Sequence, residues 1–273
     1  MKNSCYYILA ALALTLSCTR TEEKGGTRRV SFEAVSADDV PEATKTVLRS
    51  NGSIYWSPGD AINLFSTDGA ATALEAEGLE TPSAMAIFTG EMEDFTLTAD
   101  TEFWAVYPYD EINYFEDGSV TVTLYGDQEA VAGTFSPNLL ISLARSKNYS
   151  LQFYNLCGGI KFCVSEPGIT SASFRGNAQE QLAGMARVAF DDDGKPYVQD
   201  IMESMGDLYM SAPEEGFEVG KWYYFVTFPT TLEYGYTFSL YNEAGLVHQV
   251  VRQTPVTIKR SVWGKLTNVD QMQ

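Results

Sequence analysis

The sequence predicts an all-β protein built from β-sandwiches, and three observations lead to this prediction. Apolar and polar residues alternate in many short segments, as in "RRVSFEAV" at residues 28–35. Branched and aromatic residues fill these segments, and turn-forming residues separate them. Helical periodicity is weak, since only residues 178–188 and 199–210 indicate a helical turn or two. Short strands with turn residues between them are typical of β-sandwiches.

The same patterns predict individual turns. Residues 115–120 and 190–198 each place an Asp-Gly pair between apolar runs, which predicts hairpin turns. Residues 236–251 alternate on both sides of a glycine-ended loop at 242–245, which predicts another hairpin. Within residues 151–164 the apolar face changes phase, and this change indicates a β-bulge at the glycine pair 158–159.

A weak internal repeat predicts two domains. "FWAVYP" at 103–108 and "YFVTFP" at 224–229 share one pattern of aromatic, small or branched, and proline residues. The polar segment Arg145-Ser146-Lys147-Asn148 lies between them. We therefore expect one β-sandwich domain over residues 30–145 and a second over 146–273.

The N-terminus is typical of an exported lipoprotein. Lys2 precedes a short apolar run that ends in Thr15-Leu16-Ser17-Cys18. That run is too short to span a bilayer and matches a secretory signal peptide over residues 1–17. A small residue followed by Cys18 resembles a bacterial lipobox, in which the cysteine is acylated. Residues 18–29 then read as a flexible tether. The alternative is an ordinary signal peptide, with Cys18 incidental.

Charge and cysteine content narrow the class of function. The chain has 18 basic and 36 acidic residues, a net charge of −18. Nucleic-acid binding requires cationic residues, so this composition argues against a nucleic-acid partner. Cys157 and Cys163 are six positions apart, too far in an extended strand for a disulfide without a hairpin at the glycine pair. We expect them to be buried free thiols.

No motif for catalysis, metal binding or a cofactor emerges. His248 is the only histidine, and no G-x-S-x-G elbow supplies a nucleophile. The loop "FDDDGKPYV" lacks the first ligand of an EF-hand, so a hairpin turn is the better interpretation. Carboxylates in turn-like sequence could serve a hydrolase, but their spacing does not pair them: Asp60, Asp110, Glu111, Glu116 and Asp117. Four tryptophans could line a sugar-binding face or belong to the core: Trp56, Trp104, Trp222 and Trp263.

Five segments together resemble a known family. They are "TKTVLRSNGSIYWSPGDAINLFS" at 44–66, "FWAVYP", "NLCGGIKF" at 155–162, "YYFVTFPTT" at 223–231 and "VWGKLTNV" at 262–269. In order and spacing they resemble the fimbrillin-like lipoproteins of Bacteroidales, over nearly the whole chain after the signal peptide. The resemblance implies two tandem transthyretin-like β-sandwich domains. It also implies export to the outer membrane, and Glu22 and Glu23 after the cysteine resemble the signal for its outer face.

The resemblance further implies a role in surface fimbriae. In polymerising members of that family a protease cuts after a basic residue, and a strand from another subunit replaces the lost first strand. Carried onto this chain, the lost strand is residues 30–35 and the cut follows Arg49, with Arg28 and Arg29 as alternatives. Alternatively, Arg49 is a solvent-exposed turn residue that is not cut.

The sequence thus predicts a non-catalytic fimbrial subunit at the cell surface, partnered by other subunits and by the membrane. Only Asp270–Gln273 follow the last recognisable strand, which favours a tip, accessory or anchor subunit over a shaft subunit, or a donor that is the terminal strand itself. A monomeric surface lipoprotein that binds a glycan or a host protein is the alternative function, and an enzyme is a third. Proteolytic processing would distinguish a fimbrial subunit from a monomeric binding protein. Turnover of a substrate that is lost when a carboxylate is mutated would indicate an enzyme.

Overall fold

The structure, a computed structural model, describes residues 26–37, 55–67, 71–93, 98–266 and 269. Its regular elements are β-strands, apart from a single 3₁₀ turn at Pro137–Leu139 among these residues. The predicted all-β class is therefore confirmed. None of the described segments forms a helix long and apolar enough to cross a membrane.

Seven strands close into a barrel. In chain order they are β1 (Thr27–Ser36), β2 (Ala61–Ser66), β3 (Ala71–Glu77), β4 (Met85–Glu93), β5 (Phe103–Tyr107), β10 (Ser142–Ser146) and β11 (Ser150–Asn155). The order around the ring is β1-β11-β10-β5-β2-β3-β4, and β4 pairs again with β1. Because alternate residues point to opposite faces of a strand, each strand contributes its inward set to one enclosed core.

The barrel core is rich in aromatic rings. Trp56 packs edge-on against Phe88, Tyr107 and Phe153, with ring centroids 5.0–5.3 Å apart. Aromatic pairs prefer this T-shaped arrangement because the positive ring edge meets the negative face. Aliphatic residues such as Leu64 fill the remaining space and are fully buried.

The other strands form a second unit. They are β6 (Tyr114–Glu116), β7 (Ser119–Leu124), β8 (Asp127–Val131), β9 (Thr134–Phe135), β12 (Gly158–Cys163), β13 (Ser171–Gly176), β14 (Ala183–Phe190), β15 (Pro196–Met205), β16 (Asp207–Ser211), β17 (Trp222–Thr227), β18 (Thr230–Leu232), β19 (Tyr236–Asn242), β20 (Gly245–Arg252), β21 (Val256–Ile258) and β22 (Trp263–Lys265). They assemble as four sheets, ordered β20-β19-β13-β16-β8-β9, β15-β14-β7-β6, β17-β12-β22 and β18-β21.

One side of the barrel belongs to both units. On β2, β5 and β10 the outward residues are also buried, since Phe65, Trp104 and Leu143 join the core of the second unit. Phe115 from β6 lies between them, with its ring centroid 4.4 Å from that of Trp104. All five residues of β5 are buried, because its two faces line two different cores.

The predicted hairpins are confirmed. The Asp117-Gly118 pair joins β6 to β7 with φ angles of 49° and 75°, the left-handed geometry that a tight two-residue turn requires. The β14–β15 turn is closed by the Asp191 carboxylate, which accepts hydrogen bonds from the backbone amides of Asp193 (3.0 Å) and Lys195 (2.8 Å). The third hairpin joins β19 to β20.

Two local expectations are wrong. The phase change near the glycine pair is not a bulge, because β11 ends at Asn155 in the barrel and β12 starts a different sheet at Gly158. The glycines instead allow close backbone approach, since a Cβ on Gly159 would overlap the carbonyl oxygen of Phe225. The helical turns expected in 178–188 and 199–210 are absent from these described residues, where β14, β15 and β16 lie instead.

The tandem sandwich arrangement is not confirmed, because the first unit is a closed barrel. Pairing also crosses the sequence order. Residues 114–135 leave the barrel and pair with β14 and β16, whereas β10 and β11 return to it. The expected boundary at Arg145–Asn148 falls at the turn between β10 and β11, both of which belong to the barrel. The domain limits 30–145 and 146–273 stay a prediction.

Candidate functional site

Strand β1 is the segment that the sequence singles out for strand loss, and its side chains alternate as predicted. Val30, Phe32 and Ala34 point into the barrel and are at most 5 % exposed. Ser31 and Glu33, between them, are exposed. One face of β1 is therefore part of the barrel core, and the other faces solvent.

The backbone of β1 closes the ring between two strands that are distant in sequence. It pairs antiparallel with β4 over nine register positions, from Thr27–Glu93 to Val35–Met85. It pairs parallel with β11 over four positions, from Glu33–Ser150 to Ser36–Phe153. The amide of Ala37 extends this edge by donating to the carbonyl oxygen of Phe153 at 2.8 Å. Removing β1 would leave both neighbours with unpaired edges.

Phe32 makes the largest side-chain contribution of β1. It is fully buried, and its ring centroid lies 5.0 Å from those of Phe103 and Tyr149. Sequence patterns missed Tyr149, which lies in the turn before β11. The Tyr149 carbonyl also accepts a hydrogen bond from the amide of Glu33 at 2.9 Å. Full burial of a phenylalanine contributes about 1.5–3 kcal/mol, so Phe32 is a principal anchor of this strand.

The outward face of β1 carries polar contacts with the neighbouring strands. The guanidinium of Arg29 donates to Glu77 at 2.7 Å, and the hydroxyl of Thr27 donates to Glu91 at 2.7 Å. These side chains are exposed, and exposed ion pairs contribute little to stability. The strand is therefore held mainly by backbone pairing and by its inward side chains.

The position of β1 in the ring leaves it clear of the second unit. Two strands separate β1 from β5 in one direction and from β2 in the other, so it lies opposite the shared side. The adjoining outer surface of β4 exposes Met85 (48 %) and Ile87 (39 %). Among the described residues, no strand of the second unit pairs with this half of the barrel.

The predicted processing and lipidation residues fall in three places. Cys18 and Arg49 lie outside the described residues. Arg29 lies inside β1, where its backbone is the register partner of Glu91, and Arg28 precedes it in the same strand. A protease would have to pull these two residues out of the sheet. The described chain resumes at residue 55, so the cut expected at Arg49 lies between β1 and β2.

The residues considered for catalysis do not converge on one centre. His248 Nε2 lies 2.6 Å from Glu166 at the surface of the second unit. Asp60 and Asp110 line a cleft between the barrel and the second unit, whereas Asp117 lies in the β6–β7 turn. Among the described residues no three His, Cys, Asp or Glu side chains are grouped to hold a metal ion.

The cysteines and tryptophans have structural positions. Cys157 is buried and Cys163 half-buried, and neither forms a disulfide within the described residues. Burial raises the pKa of Cys157 to about 12. Of the tryptophans, Trp56 and Trp104 are buried, and Trp222 and Trp263 are half-buried against the second core. They belong to the two cores, and tyrosines, which the sequence did not single out, supply the exposed aromatic surface.

The geometry defines a class first: an all-β protein in which a closed barrel packs on a second β-unit. No protein-family model matches the sequence, and no curated protein matches it.

Two crystal structures are similar in fold. One is a putative cell adhesion protein from Bacteroides ovatus ATCC 8483, at 12 % identity and a TM-score of 0.49, covering 89 % of this chain and 94 % of that chain. The other is a fimbrial assembly protein from Parabacteroides distasonis ATCC 8503, at 9 % identity and a TM-score of 0.45, covering 88 % and 91 %.

Proposed function

We propose that this protein is a non-catalytic structural or accessory subunit of a cell-surface fimbria, assembled by exchange of strand β1. The observation that carries the proposal is the placement of β1. It fills a groove between β4 and β11, and it pairs there with strands that are distant in sequence. The sequence resemblance to fimbrillin-like lipoproteins supports the same assignment.

A cut after Arg49 would change how β1 is held. In the intact chain, β1 is tethered to β2 and returns to its groove at a high effective concentration. After the cut, only backbone pairing and the inward side chains Val30, Phe32 and Ala34 would retain it. Once the cut separates β1 from the rest of the chain, a released β1 diffuses away and seldom returns to the groove. A donor strand from another subunit can then occupy it.

The vacated groove would select a strand of matching pattern. The unpaired edges of β4 and β11 supply backbone hydrogen-bonding groups, which provide affinity for any extended segment. The volume left by Phe32, next to Phe103 and Tyr149, accepts a large apolar side chain. Alternating apolar residues in the donor would therefore be required, and burial at about 25 cal/mol per Å² would stabilise the assembly.

The proposal includes a lipid anchor at Cys18. After removal of residues 1–17, acyl chains on Cys18 would hold the uncut protein at the outer membrane, and the cut after Arg49 would release the rest of the chain from this anchor. The predicted tether over residues 18–29 overlaps β1, which begins at Thr27, so the spacer is shorter than predicted. Stable anchoring requires more than one acyl chain, which a bacterial lipoprotein carries. The position in the fibre, at tip, base or shaft, depends on the donor strand.

The decisive experiment uses an arginine-specific protease and a soluble chain that starts at Thr19. Cleavage is followed by mass spectrometry, and assembly by light scattering after size exclusion. We expect a new N-terminus at Ser50, loss of β1 and stable oligomers. Arg49→Lys keeps the charge but resists this protease, and it should remain monomeric. Replacing Arg28 and Arg29 with lysine tests the alternative sites.

A disulfide provides the matched control for exchange itself. Ser31 and Thr89 are register partners on the outer face of β1 and β4. The pair Ser31→Cys with Thr89→Cys should lock β1 in the barrel after cleavage and prevent oligomers until a reductant is added. A cleaved protein that stays monomeric with or without the lock would refute strand exchange, and it would favour the monomeric surface protein instead.

A further inference from the structure

A cleft lined by residues of both units lies where the barrel meets the second unit. It has a volume of about 620 Å³ and opens where β2 begins and β5 ends. The barrel side contributes residues 59–61 and 106–110, and the second unit contributes Val122, Thr123 and Tyr125. Clefts of 300–1,000 Å³ are typical of small-molecule sites, and this one is on the opposite side of the barrel from β1.

The side chain of Asn63 helps to hold the loop on one wall of the cleft. The side-chain amide nitrogen of Asn63 donates to the backbone carbonyl oxygen of Asp110 at 2.9 Å. Its side-chain oxygen accepts from the amide of Asp110 (3.0 Å) and from the side chain of Asn113 (2.9 Å). All three contacts fix residues 110–113 against β2. The wall is therefore preorganised, which reduces the entropy lost when a ligand binds.

The floor of the cleft is also fixed. The buried carboxylate of Asp60 accepts hydrogen bonds from the amide of Ser57 (2.8 Å) and from the hydroxyl of Tyr107 (3.2 Å). Burial, followed by the charge and hydrogen bond of Asp60, raises the pKa of Tyr107, so its hydroxyl stays protonated and continues to donate. Both groups are positioned without a ligand.

Two tyrosines form the mouth. Tyr109 is 43 % exposed and Tyr125 is 40 % exposed, and they come from different units. Burial, followed by the neighbouring carboxylate of Asp110, raises the pKa of Tyr125, so its hydroxyl stays protonated beside this acceptor. The mouth therefore combines two aromatic surfaces with a carboxylate and with the exposed amide of Asn138.

We propose that this cleft binds an uncharged sugar residue of a glycan chain. Pyranose rings present a face of C–H groups that packs on aromatic rings, and Tyr109 and Tyr125 provide such surfaces at the entrance. Sugar hydroxyls require paired donors and acceptors, which Asp110, Asn113 and Asn138 offer. We infer this class of ligand from the side chains that line the cleft. The inference does not depend on strand exchange at β1.

The charges of the cleft decide against an acidic ligand. Asp60 and Asp110 both contribute carboxylates, and none of the described residues that line the cleft is a lysine, arginine or histidine. A sialylated or phosphorylated group would therefore be repelled. The buried carboxylate of Asp60 already accepts from the amide of Ser57 and the hydroxyl of Tyr107, which leaves Asp110 as the acceptor for a ligand; beside two tyrosine rings, a neutral sugar suits it better than a cation.

The test is saturation-transfer NMR on the full chain after the signal peptide. The neutral probes are maltotetraose, cellotetraose, xylotetraose and N-acetylglucosamine trimer, each at millimolar concentration. Sialyllactose is the anionic probe, and glucosamine tetramer is the cationic one. We expect transfer to at least one neutral probe and none to sialyllactose. Tyr109→Ala or Tyr125→Ala should weaken that binding about threefold to tenfold, as loss of one aromatic contact predicts.

Two controls sharpen the result. Tyr125→Phe keeps the ring and should retain most of the affinity that Tyr125→Ala loses. Tyr234→Ala removes a tyrosine that is 67 % exposed but remote from the cleft, and it should change nothing. The proposal is overturned if no neutral probe receives saturation, if only the cationic probe binds, or if the cleft variants bind as the wild type does. A normal circular dichroism spectrum verifies the fold of each variant.

Discussion

Truncation of Phe32 to alanine should selectively weaken the attachment of β1. The ring is fully buried and lies 5.0 Å from two other aromatic rings. Lost transfer free energy is about 1.5–3 kcal/mol for a phenylalanine, and aromatic pairs add about 0.5–1.5 kcal/mol beyond area. Because the barrel wall cannot collapse fully into the cavity, we expect a total loss of about 3–5 kcal/mol.

The measurement is urea unfolding followed by circular dichroism, with Glu33→Ala as the matched control. Glu33 is the next residue of β1 but points to solvent, so its truncation should change stability by about 0.5 kcal/mol or less. Since a protein with two cores can unfold in more than one step, hydrogen exchange of the β4 and β11 amides supplies a local readout. Both strands should lose protection in Phe32→Ala.

If Phe32→Ala lowered the free energy of unfolding by less than about 1 kcal/mol, as little as Glu33→Ala does, the assignment of Phe32 as the anchor would be refuted.

A second consequence connects stability to assembly. If β1 is exchangeable, Phe32→Ala cut after Arg49 should release β1 and form oligomers faster than the cut wild type. Equal rates would mean that the anchor does not limit release.

Three further predictions concern other sites. Cys18→Ala should move the protein expressed in its native cell from the detergent phase to the aqueous phase in a Triton X-114 partition, because each acyl CH₂ contributes about 0.8 kcal/mol to membrane binding; unchanged partition would contradict lipidation. The buried Cys157, with its pKa raised to about 12, should react with a maleimide at neutral pH only after unfolding, whereas labelling of the native protein at this residue would contradict its placement. The raised pKa of Tyr107 means that the folded state keeps a proton that the unfolded state loses above its value of 10.0, so stability should fall as pH rises past 10.0. Tyr107→Phe should reduce that slope in pH-dependent thermal melts, and an unchanged slope would refute the contribution.

Local features of this fold could be predicted from sequence because they depend on short-range geometry. The inward set of β1 follows from period two, and the β6–β7 turn follows from the tolerance of Asp117-Gly118 for positive φ. These features require only the residues that form them.

Features that depend on distant partners could not be predicted. The parallel partner of β1 begins at Ser150, more than a hundred residues away, so nothing in either segment reveals that the ring closes. For the same reason, the phase change at Gly158 was interpreted as a bulge, although it marks the passage from one core to another. The cleft was missed because Tyr109 and Tyr125 meet only after the two units have packed.

The double burial of β5 has a mechanical consequence. Phe103 and Tyr107 anchor it in the barrel, while Trp104 and Val106 anchor it in the second core. Tension applied through a neighbour seated in the groove would cross the barrel and enter the second core along a rigid wall. In the proposed assembly such a subunit should bear load as a stiff link, and extension under force should begin at the ladders that hold the seated strand to β4 and β11, before β5 gives way.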